Sequence, residues 1–104
     1  MPRVAFMMRL KPGNEAIYKE KHDQIWPEMV SLLRESGVRN YTIFRRDLDL
    51  FAYLETEEGA SLPGSSGEIP TVLREWWTMM EPYMEYNPDH TPRTWPLEEM
   101  FHLD

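Results

Sequence analysis

The sequence predicts an α+β fold, and three observations carry the prediction. Two apolar stripes recur at helical spacing, one through Tyr18, His22, Ile25, Met29 and Leu33, the other from Ile69 to Met84. Four further stretches carry strand patterning. The stretches follow one another as strand, helix, strand, strand, helix, strand. That is the ferredoxin-like β-α-β-β-α-β order, an antiparallel four-stranded sheet with both helices on one face. With 104 residues, the chain has room for a single domain, 1–104, and a modest core.

Each element follows from local patterning. From Arg3 to Leu10 the residues alternate, with Val4, Phe6, Met8 and Leu10 on one face and Arg3, Ala5, Met7 and Arg9 on the other. Neither face is strongly polar, so both sides of the sheet are expected to be covered. Lys11-Pro12-Gly13 is a turn and Asn14 an N-cap for a first helix running to Ser36, with Gly37 at the left-handed position beyond it. Pro27 falls inside that helix. It removes a backbone donor and clashes with the carbonyl of Asp23, which predicts a kink near 23–26 costing about 3 kcal/mol.

Val38 to Arg45 and Leu48 to Thr56 read as a hairpin turning at Arg46 and Asp47, with Tyr41 and Ile43 sharing one face and Thr42 and Phe44 the other. Glycine, proline and serine then crowd the stretch from Glu57 to Ile69, which reads as an exposed loop. Helical spacing resumes in Ile69, Val72, Leu73, Trp76, Trp77, Met80 and Met84, with Pro70 in the first turn and Pro82 bending or ending the helix. An irregular, proline-rich connection leads to a last strand, Pro96 to Leu103. Strands this apolar on both sides are most economically covered by a two-fold dimer, sheet against sheet.

Composition narrows the function. Eighteen acidic against eleven basic residues give a formal net charge of −7, which disfavours nucleic acid and anionic membrane as partners. The chain has no cysteine, which excludes disulfides, thiolate metal sites and cysteine nucleophiles. The N-terminal residues lack the apolar core of a signal peptide, and no apolar run approaches the roughly 20 residues that span a bilayer. A soluble cytoplasmic protein is the expectation.

The best candidate for chemistry is Tyr18 with His22, four residues apart and therefore on one helical face that points inward. Trp76 and Trp77 face the same sheet from the second helix, and Tyr41 stands on a strand that could face the same side. Together they make flat apolar walls with a few polar tips, the form of a small-ligand site. Such walls suit a sugar, whose C–H faces lie on rings while its hydroxyls meet the tips. An inward imidazole is equally what a hydrogen-bonded core histidine looks like, and a tryptophan pair at helical spacing is equally a core feature. His22, His90 and His102 lie on different elements without metal-ligand spacing, so no metal site is expected. The sequence shows no phosphate loop or nucleophile elbow.

The chain resembles the L-rhamnose mutarotase family. The resemblance is carried by Ala5-Phe6 and Met8, by His22 with Ile25-Trp26-Pro27-Glu28, and by Gly37, Asn40-Tyr41 and Phe51-Ala52. It continues in Trp76-Trp77 and in Asn87-Pro88-Asp89 with Pro92. It spans nearly everything outside residues 57–75, where Ser61-Leu62-Pro63-Gly64-Ser65-Ser66-Gly67 stands in place of helix-forming residues. The resemblance implies a dimeric α+β barrel that interconverts the α and β anomers of L-rhamnose, an isomerase without a cofactor. It also implies that His22 is the proton donor and that Tyr18, Tyr41, Trp76 and Trp77 contact the sugar. Ring opening and closing needs only positioned acid–base groups, and an imidazole supplies one near neutral pH. Tyr18, a water and Asp89 are all open as its counterpart. Two other readings are a cofactor-free monooxygenase-like enzyme on the same barrel and a non-catalytic ligand-binding module.

Overall fold

Hydrophobic alternation becomes a sheet through four antiparallel strands: β1 (Arg3–Arg9), β2 (Val38–Arg46), β3 (Asp49–Thr56) and β4 (Trp95–Pro96). Their spatial order is β2-β3-β1-β4 in the computed structural model, which describes residues 1–65 and 67–104. The helices are α1 (Glu15–Asp23), α2 (Pro27–Glu35) and α3 (Thr71–Met80), with a short 3₁₀ turn at Glu81–Tyr83. The protein is thus a small α+β structure, as its patterning predicts.

Register determines what each sheet face carries. Ile43, Ala52, Phe6 and Pro96 stand opposite one another across the four strands. Met8, Leu50 and Ala52 are buried on this side against Tyr18, Met29, Leu73, Trp76 and Met80 from the helices. One residue along, Phe44, Phe51, Met7 and Trp95 make a second row on the opposite face. That row has no helix over it, and Phe44 remains 65% exposed.

The expected kinked helix from Asn14 to Ser36 is instead two helices. Trp26 is extended, with φ −62° and ψ 137°, and Pro27 opens α2 at its first position. The physical reason is that a residue preceding proline is driven out of the α region, while proline itself is pre-organised for a first helical turn. Gly37 follows α2 with φ +85°, as expected of a glycine after a helix end.

Three further boundaries differ from expectation. The hairpin turn sits at Asp47-Leu48, one residue later, because Arg46 pairs with Asp49 and Asp47 takes the positive φ of 53°. Pro70 precedes α3 as its cap, and the helix ends at Met80, so Met84 is buried by bridging to Leu10 and not by helical packing. The last strand is only Trp95–Pro96, not Pro96 to Leu103. Proline has no N–H for the ladder; one more bond, from Leu97 N–H to the Ala5 carbonyl, completes the pairing before Met100, Phe101 and Leu103 run on exposed.

The loop expected from Glu57 to Ile69 forms no helix or strand among its described residues; Ser66 lies outside them. It is not exposed throughout, since Leu62, Pro63 and Gly64 are half-buried. No described helix is long and apolar enough to cross a membrane.

Candidate active site

The break before Pro27 leaves His22 in the last turn of α1. There its Nδ1 lies 3.0 Å from the Tyr18 carbonyl oxygen. A carbonyl only accepts, so Nδ1–H is the donor and the neutral ring keeps its lone pair on Nε2. Among the described residues Nε2 has no hydrogen-bond partner. Burial lowers the His22 pKa below 6.5, opposed by the bond to Tyr18 and by the charge of Asp23. The resting state is a neutral imidazole with a free basic nitrogen.

Rings hold that imidazole in place. Tyr18 lies against it at a centroid distance of 4.2 Å and 30° between planes, and Trp76 meets it edge-on at 5.4 Å and 86°. Trp76 is itself braced edge-on by Trp26 at 5.1 Å. These offset and T-shaped geometries are the ones aromatic quadrupoles favour.

Tyr41 and Ile43 of β2 face the same cleft, which encloses about 70 Å³. Met8, Met80 and Met84 line it with buried thioethers, and Trp77, Tyr86 and Pro92 complete it. Three phenols therefore border one imidazole, and among the described lining residues there is no carboxylate. Burial pushes the Tyr41 phenol up to about 12 and that of Tyr18 higher still, while Tyr86 is raised by burial and by Glu81. All three stay protonated at neutral pH and serve as hydrogen-bond donors. The Tyr86 hydroxyl donates a hydrogen bond to the Trp77 carbonyl at 2.7 Å. No described polar side-chain atom is buried without a partner, and the Tyr18 and Tyr41 hydroxyls make no hydrogen bond to another described residue. Both hydroxyls are consequently accessible, in the cleft their side chains line.

Tyr18, His22, Tyr41, Trp76 and Trp77 are thus brought together, although they come from two helices and a strand. Asp89 is not among them. It is exposed on the loop after Tyr86, where its Oδ1 accepts the Thr91 hydroxyl at 2.6 Å, a bond that holds its carboxyl below the usual range. His90 and His102 pair separately with Glu81 and Asp104. No three of His, Cys, Asp and Glu gather as a ligand set among the described residues. A wider, shallower groove of about 450 Å³ between α2 and α3 has Glu28 and Glu35 on its lining but neither imidazole nor phenol. Volume alone does not locate the chemistry.

Sequence reasoning missed Tyr86 and Pro92 as lining residues. No periodicity marks them, because they belong to an irregular segment tied by a single bridge between the two. The methionines were visible as part of the apolar patterning, but only as core.

Fold and cleft together define a class: a small α+β scaffold carrying an aromatic-walled acid–base site whose proton-carrying groups are an imidazole and phenols. A profile of the L-rhamnose mutarotase family matches residues 3–103. An L-rhamnose mutarotase from Bacteroides thetaiotaomicron is 45% identical, with 100% of both chains covered. One from Listeria monocytogenes is 41% identical with 99% of each covered. A crystal structure of L-rhamnose mutarotase from Formosa agariphila superposes with a TM-score of 0.88 at 37% identity, over 100% of both chains. The chain belongs to the L-rhamnose mutarotase family.

Proposed function

We propose that the protein is an isomerase that interconverts the α and β anomers of L-rhamnose in the cleft between α1, α3 and β2. The observation that carries this reading is the neutral His22, its Nδ1–H engaged by the Tyr18 carbonyl and its Nε2 free beside accessible phenols. Nε2 takes the proton from the anomeric hydroxyl as the bond from C1 to the ring oxygen breaks. A cleft phenol, Tyr18 or Tyr41, or a water supplies a proton to the ring oxygen. The open aldehyde rotates and recloses on its other face; the C5 hydroxyl gives its proton back to the phenolate or hydroxide as it attacks C1, and the imidazolium returns its proton to the new anomeric oxygen. His22 is therefore base on opening and proton donor on closing. Tyr18, Tyr41, Trp76 and Trp77 bind the sugar, hydroxyls on the phenols and C–H faces on the indoles. The cycle returns every proton and consumes no cofactor.

The assembly belongs to the same reading: a single domain of ferredoxin-like topology, paired as a cytoplasmic homodimer that buries the Phe44, Phe51, Met7, Trp95 row as a dimeric α+β barrel. The strand order and the exposed aromatic row support this pairing.

Saturation-transfer NMR of L-rhamnose tests the function. Exchange between the two anomeric protons should quicken with the protein present, and exchange at the buffer rate sinks the proposal. His22→Ala should lose about 10²–10⁴-fold of the acceleration. Full activity in that variant would remove His22 from the mechanism while leaving the reaction standing.

A further inference from the structure

The loop between β3 and α3 lies against α3 at Gly64. A Cβ built there would lie 3.0 Å from Leu73 Cδ2 and 3.1 Å from Trp77 Cη2. Gly64 also has φ +85°, a conformation that strains most L side chains. The loop backbone thus sits directly on the outer corner of an indole that walls the cleft. Two other contacts fix the same residue. The Arg74 guanidinium lies 5.8 Å from the Trp77 ring centroid, and the Tyr86 hydroxyl holds the Trp77 carbonyl. Main chain and ring face are secured by these two, and the Cη2 corner is met by Gly64.

We infer that Gly64 is a positioning residue for substrate binding, setting where the Trp77 indole stands and so the fit of the sugar in the cleft. The inference rests on the reading of that cleft as a sugar site. The glycine- and serine-rich stretch from Ser61 to Gly67 then has a role at the cleft. Gly64 within it brings a residue without a side chain against the binding wall. Any side chain at 64 pushes the indole inward or the loop outward by a few tenths of an ångström. Trp77 is placed on the binding side and not at the proton-transfer groups, so affinity should respond and turnover should not.

The test uses L-rhamnose anomer exchange measured across substrate concentration. Gly64→Ala adds a Cβ under backbone strain; Gly64→Asn adds one with a residue that tolerates the left-handed region. Both should raise KM about 3–10-fold with kcat within about twofold, a split that a general loss of packing would not produce. Placed on Trp77→Phe, which removes the Cη2 corner, Gly64→Asn should have little further effect on KM. An unchanged KM in folded Gly64→Asn overturns the inference, as does a fall in kcat, a failure of that variant to fold, or full additivity with Trp77→Phe. Absence of exchange with the unmodified protein would instead overturn the sugar-site reading itself.

Discussion

At the scale of the residue, the pivotal group is an imidazole whose ordinary pKa of 6.5 is lowered by burial. Between the lowered value and 6.5, the unfolded chain binds more protons than the folded one. The stability contributed by neutral His22 is therefore complete above 6.5 and is lost as pH falls through that window. The same displacement keeps Nε2 unprotonated, and hence basic, into mildly acid solution. We expect the acid limb of kcat/KM for anomer exchange, after subtraction of the buffer rate, to lie below 6.5. An inflection above that value would contradict a desolvated His22 as the base. The phenols give no basic limb near neutrality, since Tyr41 is pushed up to about 12 and Tyr18 beyond it.

At the scale of the element, two backbone positions shape the site from outside it. Pro27 ends one helix and starts another, so His22 sits at a helix end and Trp26 turns in to brace Trp76. Gly37 closes α2 with φ +85°, and a Cβ there would stand 2.7 Å from Ala60 Cβ. Its carbonyl also receives the Glu57 N–H at 2.9 Å, tying the start of the loop to the end of α2. Gly37→Ala faces both backbone strain and a clash against a position with no flexible side chain to yield. Thermal unfolding should register a loss of about 1–3 kcal/mol, and a variant as stable as the parent would show the contact to be relaxed.

At the scale of the whole molecule, the helices cover one face of the sheet and leave the other bare. Phe44 at 65% and Phe51 at 36% exposure, side by side in the register, are costly in water and economical against a second copy. Light scattering at micromolar concentration should give twice the chain mass of 12.5 kDa. Phe51→Glu, which sets a charge in the middle of the row, should return the single-chain mass without unfolding the domain. A parent protein at single-chain mass would remove the barrel from the proposal.

The sequence by itself determined the α+β class and the inward stripes of the helical stretches, because burial enforces periods that can be read locally. Tyr18 with His22, and Trp76 with Trp77, were legible for that reason, and the resemblance added the family. What the tertiary structure alone decided lies where chain-distant groups meet. Period 3.6 continued across Pro27 in the letters, but the backbone could not follow, since one residue's sterics outweigh a continuing stripe. Tyr86 entered the cleft through a lone bridge, and Gly64 reached Trp77 across a loop with no period at all. The convergence of Tyr41 on His22, and the tautomer that leaves Nε2 free, depend on distances between elements. No pattern along the chain encodes those distances, because packing, not local propensity, sets them.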